Sequence, residues 1–98
     1  MAEKLKRVRG SANMFTDLGF PKAEAENLKM RADLMIRIVD FYEKSGVTQA
    51  AAAKVLGITQ PRLNALVRGK IALFSLDALV NIACRAGLNV RLVVKKAA

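Results

Sequence analysis

The sequence has no histidine and only one cysteine, Cys84, among its 98 residues. One cysteine excludes an internal disulfide framework, and without histidine there is no cluster of the usual ligands of a structural metal ion. No histidine is present to activate a nucleophile, the eight acidic residues are scattered, and no glycine-rich phosphate loop is visible. We therefore predict that the protein is not an enzyme and needs no cofactor, and we interpret Cys84 as a small filler.

Aromatic residues and long apolar runs are also scarce. The five aromatic residues form no visible stacking platform, which disfavours recognition of RNA. No apolar run approaches the length of a membrane span, and the charged N-terminus lacks the apolar core of a signal peptide. We expect a cytoplasmic protein of one small domain, whose marginal core would gain from oligomerisation.

Positive charge is what the chain has in excess, with 17 lysines and arginines and a formal net charge of +9. Residues 48–70 carry four basic residues and no acidic one, and residues 1–10 and 71–98 are each net +3. Residues 11–47, by contrast, are net −1. Positive charge that is concentrated in this way is expected for a protein that binds a polyanion. The alternative is a basic protein whose charged side chains are merely solvated.

Residues 48–68 read as two short helices joined by a tight turn at Gly57. Thr48 and Thr59 can each cap a helix, and Pro61 is tolerated in a first helical turn, whose amides need no intrahelical acceptor. The spacing is the helix-turn-helix pattern, in which the second helix enters the major groove of DNA. The alternative is an αα-hairpin packed for structure only.

The flanking segments are assigned by their start and stop signals. Residues 1–13 read as a flexible basic arm that either contacts DNA or is a disordered tail, and residues 14–98 form the domain proper. Pro21 opens a long helix that ends near Ser45, and Ser75 caps a further helix that ends near Ala86.

The long helix carries more apolar residues than one contact needs. We predict that its buried face is made by Leu34, Met35, Ile38, Phe41 and Tyr42, which follow the 3, 4, 7 spacing. Ile36 and Val39 lie off that stripe and belong either to the core or to a partner surface.

The last stretch changes from helical to alternating periodicity. Val90, Leu92 and Val94 alternate with other residues over 89–95, which predicts a β-strand. Since one strand cannot satisfy its own backbone groups, we expect it to pair with the same strand of a second copy, so that these three residues form dimer contacts. The alternative is a tail folded back on the domain.

Several short motifs support a family resemblance. One group consists of Gly46-Val47-Thr48-Gln49, Ala53, Leu56-Gly57-Ile58, Gln60, Leu63 and Arg68-Gly69-Lys70. A second, more diffuse group consists of Gly10-Ser11-Ala12-Asn13, Asp17-Leu18-Gly19-Phe20-Pro21, Gln60-Pro61-Arg62, Phe74-Ser75-Leu76-Asp77 and the closing strand. The first group resembles the lambda-repressor-like (Xre) helix-turn-helix family. With the second group, the layout is similar to its HigA-like antitoxin branch.

The resemblance implies an all-α fold, namely a five-helix lambda-repressor-like DNA-binding domain, to which the predicted C-terminal β-strand would add pairing across a dimer. Members usually bind operators in double-stranded DNA as homodimers and repress transcription, and antitoxin members also neutralise an mRNA-cleaving toxin encoded beside them. The expected function is a sequence-specific, nucleoid-associated repressor that serves as the autoregulating antitoxin of a toxin–antitoxin pair. The alternatives are a toxin-neutralising module in which DNA binding is secondary, and a stand-alone repressor.

Four side chains of the second helix are predicted to read bases. The Gln60 amide matches N7 and N6 of adenine, and Ala65 can pack on a thymine methyl group. Arg62 makes a bidentate contact to guanine, holds a phosphate, or stays solvated, while Asn64 contacts either bases or the backbone.

Phosphate contacts are predicted for Gln49, Thr59, Arg68 and Lys70. Gln49 would also orient Gln60, unless it acts only in capping. The phage repressors of the family place long polar side chains at the positions of Pro61 and Ala65, so base readout here rests on fewer residues.

Overall fold

The structure, a computed structural model, describes Phe15 and residues 17–96. The basic arm predicted at residues 1–13 lies outside the described residues. Four α-helices and one turn of 3₁₀-helix follow in the described chain: α1 (Lys22–Ser45), α2 (Gln49–Leu56), α3 (Gln60–Val67), the 3₁₀ turn (Ile71–Leu73) and α4 (Leu76–Arg85). None of these helices is both long and apolar enough to cross a lipid bilayer.

The long helix α1 has the predicted limits, and its buried face is the predicted one only in part: Met35 and Ile38 are buried, and Leu34 and Tyr42 pack half-buried against the core. Phe41 is 43% exposed, so its assignment to the core is wrong, whereas Ile36 and Val39 are buried. The side chains that α1 buries are Ala25, Leu28, Ala32, Met35, Ile36, Ile38 and Val39. Because α1 is apolar over a wide surface, spacing alone did not identify the stripe that faces the other helices. The small residues Ala25 and Ala32, which extend the true stripe, gave little hydrophobic signal.

Caps and a glycine turn define the two short helices as predicted. The hydroxyl oxygen of Thr48 accepts a hydrogen bond from the Ala51 amide at 3.2 Å, and that of Thr59 accepts one from the Arg62 amide at 3.3 Å. Gly57 has the left-handed φ of 71° that residues with a Cβ atom rarely adopt. These interactions end α2, turn the chain and start α3, so the helix-turn-helix motif is confirmed.

The core lies where α1 contacts the other helices. α1 packs chiefly against α4, while α2 packs against α3. Phe74, Leu79, Leu63 and Leu66 are almost completely buried in the resulting cluster. The hydroxyl of Ser75 accepts from the Ala78 amide at 3.1 Å and starts α4 as predicted. The interior therefore holds α3 by one side and leaves its other side to solvent.

The predicted five-helix domain with a C-terminal β-strand is wrong. Residues 22–96 form four α-helices, and only the single 3₁₀ turn separates α3 from α4. Ser75 caps α4 five residues after Lys70, which leaves no room for a further helix. Residues 89–96, called here the C-terminal segment, form no strand within the described chain. An alternating pattern makes a strand only beside another extended segment, and no other described segment pairs with this one.

Candidate nucleic-acid interface

The outer side of α3 is the candidate contact surface because of the way the helix is packed. Leu63 and Leu66 lie on its inner side and are fully buried. Gln60, Pro61 and Asn64 lie on the opposite side at helical spacing and are exposed. The helix thus presents two polar amide side chains on a surface that the described residues do not cover.

The four predicted base-reading residues are not equally accessible. Gln60 and Asn64 are exposed, and their amides make no hydrogen bond to another described residue. Ala65 is half-buried, with its methyl group beside the core. Arg62 is also half-buried and lies on the flank of α3. The structure therefore places all four on or beside one helix surface, with Gln60 and Asn64 the most prominent.

The side chain of Arg62 bends back towards the segment that follows α3. Its Cζ atom lies 4.4 Å from the centroid of the Phe74 ring, which is the geometry of a cation–π contact. Its Nη1 atom donates to the backbone oxygen of Leu73 at 3.3 Å. The guanidinium group is therefore held by the protein itself, which the sequence pattern did not indicate.

The predicted phosphate-binding residues surround α3. Thr59, Arg68 and Lys70 are exposed, while Gln49 is half-buried at the start of α2. The Thr59 oxygen accepts the capping bond, and its hydroxyl hydrogen stays available to an acceptor such as phosphate. Gln49 and Gln60 make no hydrogen bond to each other in the structure. The orienting role of Gln49 stays a prediction.

The electrostatic character of this surface follows from the positions of its charges. No acidic residue occurs between Thr48 and Leu76, so none lies on α2, α3 or the 3₁₀ turn. The two ion pairs among the described residues, Lys29–Asp33 and Lys44–Asp40, both lie on α1. The cations of the motif, including the exposed Lys54 on α2, are therefore not neutralised by ion pairs with described acids. Such a surface attracts a polyanion.

Sequence reasoning missed the two arginines that hold the motif to the rest of the fold. Nη1 of Arg31 on α1 donates to the backbone oxygens of Ile71 and Phe74, at 3.2 and 3.1 Å. Nε of Arg85 on α4 donates to the backbone oxygen of Val55 at 3.4 Å, at the end of α2. The sequence contains one signal of this role: Arg31 lies at helical spacing from the apolar residue Leu28 and next to Ala32, on the side of α1 that faces the protein. Such long-range contacts leave no periodic trace in the sequence.

Comparisons with known proteins agree with this geometry. A family model described as a helix-turn-helix domain matches residues 14–95. The chain is also similar to a solved structure that carries the provisional name XRE family transcriptional regulator. The two share 30% sequence identity with a TM-score of 0.70, and the match covers 76% of this chain and 83% of the other. Among curated proteins, no match was found.

Proposed function

We propose the following function from the premise that this chain belongs to the helix-turn-helix domain family, with an Xre-like fold. At the coarser level it is a DNA-binding transcriptional regulator. More specifically, it recognises an operator sequence in double-stranded DNA with α3 and represses transcription there. This function requires a helix that reaches the major groove and positive charge that stays beside the backbone.

One observation carries this proposal: the exposed polar face of α3 lies within a segment that has no acidic residue. Burial of Leu63 and Leu66 fixes the helix, so the side chains of Gln60 and Asn64 project from a rigid support. A rigid support lowers the ordering cost of binding. An αα-hairpin packed for structure alone would need neither the amides nor the surrounding cations.

The contacts divide into two chemical classes. Gln60, Asn64, Ala65 and Arg62 are proposed to face base edges, where amide and guanidinium groups match adenine and guanine and a methyl group matches thymine. The phosphate-binding set is proposed to be Gln49, Thr59, Arg68 and Lys70. These contacts fix the register of α3 on the duplex but carry no sequence information themselves.

A gel-shift titration with DNA from upstream of the protein's own gene tests this proposal. Gln60→Ala is expected to cost about 1–3 kcal/mol of discrimination at particular base pairs, since alanine cannot bond to a base edge. Asn81→Ala is the matched control, because Asn81 is an exposed amide on α4, outside residues 48–68. Equal weakening by Gln60→Ala on all sequences would contradict base reading and leave only an anchoring role.

We also propose that the protein acts as a homodimer through Val90, Leu92 and Val94. Leu92 and Val94 are 79% and 84% exposed, which is unusual for large apolar side chains. The segment borders a groove of about 430 Å³ between α1 and α4, which is lined in part by Met30 and Leu34. A second copy that covered these side chains would remove apolar surface from water.

Sedimentation of the chain cut after Leu88 tests the dimer. The full chain is expected to sediment as a dimer and the shortened chain as a monomer with weaker operator binding, because operators are usually read by two linked half-sites. The double substitution Arg91→Ala with Lys95→Ala keeps the three apolar side chains and serves as the control. Identical sedimentation of the full and shortened chains would remove these residues from any dimer contact.

The resemblance to antitoxins supports a further proposal, that this regulator is cytoplasmic and binds a toxin encoded beside its own gene. The exposed apolar side chains of the C-terminal segment are suited to binding a protein. That protein is either a second copy of this chain or a toxin. Co-expression with the neighbouring gene product is expected to give a stable complex and a changed gel shift. Absence of a complex would leave a stand-alone repressor.

A further inference from the structure

The contact between Arg62 and Phe74 has a structural support that reaches across the fold. Phe74 is only 1% exposed, so its ring cannot change position without disturbing the core. Arg31 on α1 holds the backbone of the same segment by bonds to the oxygens of Ile71 and Phe74. The oxygen of Leu73, between them, accepts the bond from Arg62. Both partners of the guanidinium group are therefore fixed in the free protein.

The held guanidinium group keeps most of its hydrogen-bonding capacity. Arginine has five N–H donors, and the contact to the Leu73 oxygen uses one donor on Nη1. Nε and Nη2 of Arg62 have no hydrogen-bond partner among the described residues, and no described acid forms an ion pair with the side chain. The side edge of the group, with its two parallel donors, is the edge that binds guanine O6 and N7 or two phosphate oxygens.

We propose that Phe74 is a positioning residue for DNA binding: its buried ring, with the Leu73 oxygen, holds the Arg62 guanidinium at the rim of α3 before DNA arrives. An arginine that moves freely in the unbound protein loses that freedom on binding, which weakens the complex. Because the Phe74 ring already restricts the Arg62 side chain in the unbound protein, less freedom is lost on binding. The inference rests on the proposed function, because it assigns a role in the same binding event.

Operator binding by four proteins tests the proposal: the wild type, Arg62→Ala, Phe74→Leu and the double variant. Phe74→Leu is expected to weaken binding about three- to tenfold when Arg62 is present, because leucine fills much of the space without offering an aromatic face. In the Arg62→Ala background the same change is expected to alter binding by less than about twofold. An equal loss in both backgrounds would show that Phe74 serves the fold alone and would overturn the proposal.

Two further variants serve as controls. The first tests whether a less stable core alone weakens DNA binding, and the second tests whether the planar guanidinium group is needed. Ile38→Val removes a buried methylene from α1, which carries no proposed DNA contact, and it is expected to leave operator affinity unchanged. Arg62→Lys keeps the charge but loses the planar fork, and it is expected to bind more weakly with Phe74 intact. If lysine restored full affinity, the planar group would not need positioning, and the proposal would fail. If the Arg62 variants lose affinity only at particular base pairs, the free edge of the guanidinium group binds guanine. If they lose affinity equally on all sequences, it binds phosphate.

NMR of the free protein separates this inference from the proposed function. A guanidinium group held against a ring is expected to give upfield-shifted Arg62 side-chain protons and restricted motion of Nε. Normal shifts and free motion would overturn the positioning role even if the wild type binds DNA. If the shifts are present but neither the wild type nor any variant binds DNA, the proposed function fails and the Arg62–Phe74 contact is structural only.

Discussion

Two parts of the molecule that face solvent, α3 and the C-terminal segment, differ in what holds their backbone. α3 begins with a threonine cap, and its first and last turns are closed by bonds such as Leu63 N to Thr59 O at 2.9 Å and Arg68 N to Asn64 O at 3.0 Å. Leu63 and Leu66 then fix it to the core. Residues 89–96 make no backbone hydrogen bond within the described chain.

This difference shows two ways to present residues to a partner. α3 offers polar side chains on a helix backbone that is already ordered by folding. Binding therefore loses less conformational entropy. The C-terminal segment offers apolar side chains on a backbone that no described backbone hydrogen bond holds. We expect substitutions in the two regions to change different measured quantities.

The largest expected difference between the regions is in folding stability. Leu63→Ala removes a fully buried side chain and is expected to lower the free energy of unfolding by about 2–5 kcal/mol. Val93→Ala, in the exposed C-terminal segment, is expected to change it by no more than about 0.5 kcal/mol. Urea unfolding followed by circular dichroism measures both. A similar loss for the two variants would mean that the C-terminal segment is packed as firmly as α3.

Paired charge substitutions sharpen the comparison for DNA binding. Arg68→Ala with Lys70→Ala removes two cations beside α3, and the slope of log K against log salt is expected to fall by about 0.9 for each phosphate that is no longer neutralised. Arg91→Ala with Lys95→Ala changes the net charge equally, and we expect it to leave the slope nearly unchanged. Titrations at several salt concentrations measure both slopes. Equal slopes for the two variants would mean that overall charge, and not its position, governs binding.

The parts of the fold that sequence reasoning predicted correctly depend on neighbouring residues. A hydroxyl at Thr48, Thr59 or Ser75 caps a helix through an amide three residues away. Gly57 allows the turn between α2 and α3 because of its own backbone freedom. Interactions of this kind are encoded within a few residues of sequence. The helix-turn-helix motif consists largely of them.

The parts that were missed depend on residues far apart in the chain. Phe74 lies 12 positions from Arg62, and Arg31 bonds to an oxygen 43 positions away. The orientation of α1 depends on which side chains the other helices cover, and for that reason Phe41 was assigned wrongly. A strand likewise needs a second extended segment, which no local pattern can supply. Proximity in the fold, and not residue type, decides each of these features.

The smallest expected effect concerns the cap that starts α3. Thr59→Ala removes the acceptor for the Arg62 amide and is expected to lower the free energy of unfolding by about 1 kcal/mol, while Thr59→Ser keeps it. Asn89→Ala, at the start of the C-terminal segment, removes no cap and is expected to change stability by less than about 0.5 kcal/mol. Thr48→Ala removes the corresponding cap of α2, so any additional loss of operator affinity in Thr59→Ala reports a phosphate contact of the Thr59 hydroxyl. If Thr59→Ala unfolded at the same urea concentration as Asn89→Ala, the start of α3 would be held by its buried leucines alone. The threonine cap would then contribute nothing to the difference between α3 and the C-terminal segment.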